Sequence, residues 1–462
     1  MNASLNLDVP RKRYRRYYRN GVTDPLFPMQ WHLRVVNYSE TLTGRGVKIA
    51  IVDDGVQWRH PDLQANYDAA SSYDFDDRDN DPTPSGNDGH GTACAGVAAA
   101  VRNTVCGRGV ASEASIVGIR LVSRSVYDYE EAQALSHKRD RIRIYSCSWG
   151  PEDSGEDMVE PGQVMRSILK RGFESERSIF VWAAGNGRHL SDSSNYDGYA
   201  NSAYTFAIGA IDYSGAQAYY SESGANVMAV TPSSGTTGHG ITTTDLMGYQ
   251  GYNSGECTSG FGGTSSSAPL AAGIIATMLG GRPDLKTRDV QHLIARYATK
   301  INPSDGSWST INRRGYTHSN AYGFGLLKVF PVPRDWVSVP EMRVVASVTT
   351  LPSPLPMDAT VSITAPRSLS FIERVLVTVS MTHARRGQVL TSIRSPFATS
   401  ILSEHRGDIH SGPITWTYST LRHWGEDLNE GDVWTVVVRD DTNDGYRGTV
   451  QRVSVEWLGC TL

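Results

Sequence analysis

Cysteine is scarce, with five in 462 residues. The odd count leaves at least one unpaired within the chain, and no two stand in a Cys-x-x-Cys pair. That excludes a disulfide scaffold and argues against a zinc site. No apolar run approaches the roughly 18–20 residues of a membrane-spanning helix. Neither charge sign dominates: Lys and Arg total 44, Asp and Glu 48, and the net charge is −4. Such a balance argues against a nucleic-acid partner. Arg11, Lys12, Arg13, Arg15 and Arg16 form a local basic run, but no apolar stretch follows to make a secretory signal. The run reads equally as a solvated tail or a processing site. Internal repeats are missing too.

Hydrophobic residues make up 39% and charged residues 20%, enough for full cores and against a disordered chain. At roughly 150 residues per domain the length suggests about three domains or two large ones. Asn2-Ala3-Ser4 and Asn37-Tyr38-Ser39 match the glycosylation pattern, too short a motif to assign a compartment.

Val47–Val52 reads as a buried strand ending at Asp53-Asp54-Gly55. Residues 66–90, Asp-dense and carrying Pro82 and Pro84, read as loop. His90-Gly91-Thr92 opens an Ala-rich helix to Val101, and Ile142–Trp149, Ser178–Ala184 and Thr205–Ile211 read as strands. The Gly-, Ser- and Thr-rich stretch 233–263 reads as loop, and Ser266–Leu279 as an apolar helix with Pro269 in its first turn. Strands alternating with helices to about residue 330 predict a parallel α/β sheet. Beyond Pro331 and Pro333, Arg374–Thr382, Trp434–Val438 and Val450–Trp457 alternate with period two and predict a separate β-sandwich. The expected division is a basic segment 1–21, an α/β unit 22–335 and a β-sandwich 336–462.

Three fragments carry the chemistry: Val52-Asp53-Asp54-Gly55 at a strand end, Asp88-Gly89-His90-Gly91-Thr92 at a helix start, and Gly263-Thr264-Ser265-Ser266-Ser267-Ala268-Pro269 at another. A hydroxyl nucleophile needs a base, and the base needs a carboxylate to fix its tautomer and stabilise its cation. A helix N-terminus at Ser265 adds free N–H groups and positive potential for an oxyanion. Asn186, between two glycines after a strand, supplies a second donor.

The order Asp, His, Asn, Ser with these flanks resembles the subtilisin-like serine proteases. Finer marks resemble the kexin- and furin-like proprotein convertases. They are His60-Pro61-Asp62-Leu63, His90-Gly91-Thr92-Ala93-Cys94-Ala95-Gly96, Ser146-Cys147-Ser148-Trp149-Gly150-Pro151-Glu152-Asp153, Trp182-Ala183-Ala184-Gly185-Asn186-Gly187 and Gly263–Gly273. Residues 336–462, with Thr382-His383, Arg385-Arg386-Gly387 and His423-Trp424-Gly425-Glu426-Asp427, resemble the P domain of that branch. The resemblance covers roughly residues 22–460.

It implies a subtilisin-like α/β domain followed by a jelly-roll-like β-sandwich, and a serine endopeptidase cutting after paired basic residues. The implied triad is Asp53, His90 and Ser265, with Asn186 as oxyanion donor. Asp153 and Asp197 match positions that receive the P1 arginine, where a guanidinium fork suits planar carboxylates. Asp54 matches a position facing P2, and Glu131 and Asp128 match acidic positions serving residues further upstream. Ser148-Trp149-Gly150 pairs with substrate as an added strand. Asn87 stands where the family has an aspartate, which implies either a weaker P2 preference or substitution by Asp88 beside it.

Calcium is the implied cofactor. Asp192, Glu222 and Asp153 match one site. Asp24 and Asp62 match a second, completed by carbonyls near Asn103. Asp74, Asp79 and Asp81 match a third, which reads equally as a solvated loop. Cys106 and Cys257 match a family disulfide. Another family disulfide falls at Ser194 and Gly224, which implies looser pocket loops. Cys94 and Cys147 are expected to be inert buried thiols, and Cys460 has no assigned partner. Relatives carry a signal peptide, a prodomain and often a C-terminal anchor. About 20 residues precede the catalytic region here, so the prodomain is expected to be removed or separate. By resemblance the chain is a monomer of the secretory pathway or extracellular space. Two other readings stay open: a less selective degradative subtilisin, and a catalytically silent binding protein.

Overall fold

The computed structural model describes residues 24–461 except 311, 357 and 443, with backbone alone over 350–356. The basic run at 11–16, Asn2-Ala3-Ser4 and the segment 1–21 lie outside the described residues. A seven-stranded sheet, in the order β2-β3-β1-β4-β5-β6-β7, organises the first part. Its strands are β1 (Lys48–Asp53), β2 (Tyr73–Asp74), β3 (Ser115–Arg120), β4 (Ile144–Cys147), β5 (Ile179–Ala183), β6 (Thr205–Ile211) and β7 (Val227–Pro232). Every pairing is parallel. Each residue of β5, β6 and β7 is buried, as expected of strands covered on both faces.

The helices are α1 (Trp31–Val35), α2 (His90–Ala99), α3 (Asp128–Ala134), α4 (Gln163–Ser175), α5 (Thr264–Gly281) and α6 (Thr287–Tyr297). Small residues let α2 and α5 approach closely: a Cβ added at Gly273 would lie 2.8 Å from the Ala98 carbonyl oxygen. Both helices enter one apolar core with β1, β5 and β6.

The stretch 233–263 is not all loop. It folds into an antiparallel pair, β8 (Ile241–Thr244) and β9 (Cys257–Phe261). The threonines that suggested loop are spent on α2. Thr243 Oγ1 donates to the Ala93 carbonyl at 2.8 Å and Thr244 Oγ1 to that of Thr92 at 2.7 Å. A β-branched residue whose hydroxyl finds a buried acceptor is a good strand former. Cys106 and Cys257 form a disulfide, tying this pair to the loop after α2.

The C-terminal part is a sandwich of two four-stranded antiparallel sheets, β10-β17-β12-β15 and β11-β16-β13-β14. The strands are β10 (Arg343–Pro356), β11 (Ala359–Thr364), β12 (Phe371–His383), β13 (Leu390–Arg394), β14 (Thr399–Ser403), β15 (Gly412–Thr420), β16 (Val433–Arg439) and β17 (Gly448–Cys460). β11 alternates strictly between buried and exposed, so one face makes the core. Trp434, Trp457, Val377 and Val455 fill it.

Polar contacts fasten the sandwich to the α/β part. Asn195 Nδ2 donates to the Ser419 carbonyl at 2.8 Å, Trp416 Nε1 to that of Asn195 at 2.9 Å, and Asn201 Nδ2 to that of Thr417 at 2.6 Å. Buried Glu373 of β12 binds Arg288 and His292 of α6. No helix among the described residues is long and apolar enough to cross a membrane.

Candidate active site

β1 pairs with β3 on one side and β4 on the other, so a crevice opens at the carboxyl ends of the strands, where open α/β sheets bind ligands. Asp53 is the last residue of β1 and 2% exposed. His90 is the first residue of α2, and its Nδ1 lies 2.8 Å from Asp53 Oδ1. With the proton on Nδ1, His90 donates to Asp53 and its Nε2 is left as a base. Burial lowers the affinity of His90 for a proton, but the charge and hydrogen bond of Asp53, with Cys94 adding, together outweigh it and hold the histidine well above its ordinary value.

Ser265 lies in the first turn of α5, among amides with no partner inside the helix. The preceding Gly263 has φ +70°, a left-handed turn that suits glycine. A Cβ there would stand 3.3 Å from Asn186 Oδ1 and 3.5 Å from Ser265 Oγ, so both side chains border this turn. Asn186 Oδ1 accepts from Thr264 N at 2.8 Å and Thr264 Oγ1 at 3.0 Å. The oxygen is thereby occupied, and the amide NH2 is presented as a donor.

Cys94 was not expected here. Its Sγ lies 3.9 Å from His90 Nδ1, 3.6 Å from Ser148 Oγ and 3.5 Å from the Ser265 carbonyl oxygen. It sits one helical turn after His90, a spacing that placed it on the same face but gave no chemistry. Burial pushes its thiol up, so it stays protonated. Cys147 and Cys460 are also free and buried.

The acidic positions divide by what they touch. Asp197 Oδ1 takes the amides of Tyr199 and Ala200, while Oδ2 lies 2.9 Å from where a Cβ on Gly150 would stand. Glycine at 150 thus keeps that oxygen open. Burial, with Asp153 and Asp192 adding, pushes Asp197 up to about 7, a strain that a bound guanidinium relieves. Asp153 Oδ2 accepts from Asn186 N at 3.0 Å, linking Asn186 to the acidic wall. Glu131 accepts from Tyr199 Oη at 2.7 Å, and Trp149 packs on Trp182 and Tyr199.

Other acids are engaged locally. Asp54 accepts from the first two amides of α2, His90 N at 3.0 Å and Gly91 N at 2.7 Å. It is pushed up to about 7 by burial and by the Asp53 charge. Asp128 stands at the N-terminus of α4 and accepts from Met165 N. Asp88 accepts from Ser85 Oγ, and Asn87 is exposed. The pocket loop lacking a disulfide is pinned otherwise. Buried Asn226 Nδ2 donates to Ser194 Oγ at 2.9 Å and to the Ala200 carbonyl at 3.0 Å.

The donor sets proposed for calcium differ in fit. Burial and mutual repulsion with Asp192 and Asp153 push Glu222 well up, and burial raises Asp192. A hard divalent cation would offset that mutual repulsion. Asp62 is fully buried with Oδ1 lacking a partner, and burial pushes it up to about 7. Asp24 close by is paired with Arg108. This second set fits through Asp62. The third does not: Asp74 pairs with Arg120, Asp79 accepts from Asp81 N, and Asp81 accepts from Trp58 Nε1 and pairs with Arg59. Both oxygens of Asp74 and of Asp81 and one of Asp79 are thus engaged within the protein.

The chain matches the Subtilase family over residues 44–325 and the Proprotein convertase P-domain over residues 372–456. Protease KEX1 of Kluyveromyces lactis is 37% identical over 96% of this chain and 61% of its own length. PC3-like endoprotease variant B of Hydra vulgaris is 37% identical over 96% and 68%. Furin of Rattus norvegicus is 35% identical over 98% and 60%, so the chain spans about three fifths of most of these curated relatives. The crystal structure of the serine protease of Aeromonas sobria shares the fold, with a TM-score of 0.86 at 21% identity over 94% of this chain and 95% of that one. By these matches the chain belongs to the subtilase family of serine proteases, in its kexin- and furin-like proprotein convertase branch.

Proposed function

We propose that the protein is a calcium-dependent serine endopeptidase that cuts after paired basic residues in precursor proteins of the secretory pathway. Residues 22–335 form the peptidase unit and 336–462 the P domain, and the protein works as a monomer. The observation that carries the reading is the 2.8 Å His90–Asp53 contact beside Ser265 at a helix N-terminus. In this reading Ser265 Oγ attacks the peptide carbonyl as His90 Nε2 takes its proton. The oxyanion receives hydrogen bonds from the Asn186 NH2 and the first-turn amide of Ser265. His90 returns the proton to the leaving amine, and water admitted on the same side clears the acyl-enzyme.

Asp197 and Asp153 hold the P1 guanidinium, while the edge of Ser148-Trp149-Gly150 pairs with the substrate backbone. Glu131 serves a residue further upstream. Asp192, Glu222 and Asp153 hold one calcium and Asp62 with Asp24 another, each neutralising carboxylates that otherwise repel. The disulfide suits an oxidising compartment. Reaction with a diphenyl phosphonate of an arginine-ended peptide, followed by peptide mapping, tests the reading. The adduct is expected on Ser265; folded protein left unmodified at Ser265 would refute it.

A further inference from the structure

The acyl half of a substrate has a wall here, and the half that follows the cut has another. In the endopeptidase reading His90 hands its proton to the leaving amine from Nε2, so the departing chain passes the imidazole. Phe261 packs against the imidazole in an edge-on pair, with ring centroids 5.5 Å apart, and Tyr252 leans on Phe261 at 5.9 Å. Phe261 is buried, whereas Tyr252 is 53% exposed.

Tyr252 is held firmly although it sits in a loop. Buried Asp245 accepts from Leu246 N at 2.8 Å and Tyr252 N at 2.9 Å on Oδ1, and from Asn253 N at 2.8 Å on Oδ2. A Cβ on Gly251 would fall 2.1 Å from Asp245 Oδ1, so the residue before Tyr252 has to be glycine. Met247 N donates to Gln57 Oε1 at 2.7 Å. The Leu246 side chain fills the space over Gly89, 3.2 Å from where its Cβ would stand, immediately before His90. At the tip, Tyr249 is 92% exposed. An exposed ring on a fixed backbone is preorganised for stacking at low entropic cost.

We propose that Tyr252, backed by Phe261 and fixed by Asp245, forms the wall that receives the two residues after the cut and selects aromatic or large apolar side chains there. This rests on the endopeptidase reading above. The test is a set of quenched peptides sharing Arg-Xaa-Lys-Arg before the cut, with Phe, Leu, Gly or Asp at each of the next two positions. The ratio of kcat/KM for Phe over Gly is compared between wild type, Tyr252→Ser and Tyr252→Phe, so that differences in active fraction cancel. Wild type is expected to favour Phe by about tenfold at one of the two positions. Tyr252→Ser is expected to bring that ratio within about twofold of unity, and Tyr252→Phe to keep it. A wild type indifferent at both positions, or a preference that survives Tyr252→Ser, overturns the assignment. Inactivation of the wild type by an Arg-Xaa-Lys-Arg chloromethyl ketone, which carries no residue after the cut, separates the two readings. Its failure removes the endopeptidase reading and this wall together, whereas inactivation with a flat library removes only the wall.

Discussion

Arg406 of the sandwich places Nη1 3.5 Å from Oδ1 of Asp192, across the junction with the α/β part. The guanidinium is 1% exposed and lies over the Tyr196 ring at 4.1 Å. Its Nε donates to the Gly155 carbonyl at 2.9 Å and Nη2 to that of Asp157. One side chain thus touches the segments on both sides of the acidic wall, next to Asp153 and Asp197. Removing one partner of a buried ion pair costs about 3–5 kcal/mol. Arg406→Ala is expected to lower stability by about that amount, most when metal is chelated, and to raise KM for arginine substrates. Urea unfolding with calcium and with chelator, alongside steady-state kinetics, checks this.

Metal removal and pH are coupled through Asp54, Asp62 and Asp197, each raised to about 7 mainly by burial, and through Glu222 and Asp192, raised the same way. A carboxyl whose folded pKa exceeds its unfolded one binds more protons when folded, so stability falls as pH rises toward the folded value. Chelated protein should therefore melt at a higher temperature at pH 6.5 than at pH 8. Calcium at Asp62, Glu222 and Asp192 should flatten or reverse that slope. Buried neutral His32 and His318, both lowered to about 3 by burial, bind protons only on unfolding and oppose the trend further into acid. Melting curves across that pH range, with and without calcium, measure it.

In the proposed mechanism Asp53 governs the base. There His90 acts when neutral, and with its pKa held up by Asp53, activity is expected to be lost as pH falls through that raised value. Asp53→Asn should drop kcat by about 10⁴-fold, by favouring the wrong tautomer. It should also move the acidic limb of kcat/KM to lower pH. A pH–rate profile of both proteins reads the two effects.

Most of the fold is written locally in the chain. Thr205–Ile211 forms a strand over the very residues its apolar run marks, and the Asp53, His90 and Ser265 flanks fall at a strand end and two helix starts. What the sequence hides depends on distant partners. Thr243 and Thr244 look like loop until the α2 carbonyls accept their hydroxyls. Asp54 and Asp128 stand out in the sequence as acids, but the helix N-termini their carboxylates meet come from elsewhere in the chain. Arg406 carries no local mark at all, since its carbonyl partner Gly155 lies 251 residues away.

The sandwich covers polar and aromatic surface that the α/β part cannot leave bare. Tyr196 and Ala225 belong to the sandwich core, and Leu421 N donates to the Ala225 carbonyl at 2.8 Å. Deleting residues 336–462 uncovers Tyr196 and Ala225 and breaks the Arg288–Glu373 pair. The truncated protein is expected to be insoluble or inactive. Expression followed by an activity and circular dichroism comparison tests it, and a soluble, fully active truncation would contradict it.

The central claim is that Ser265 cuts peptides after paired basic residues. A fluorogenic peptide ending in Arg-Xaa-Lys-Arg at the cut, given to the processed wild type and to Ser265→Ala with calcium and with chelator, tests it most directly. Cleavage by the wild type in calcium, its loss with chelator, and a fall of about 10⁶-fold in kcat for Ser265→Ala are expected. Cleavage that survives Ser265→Ala, or a folded, calcium-supplied wild type that leaves the peptide whole, would contradict it.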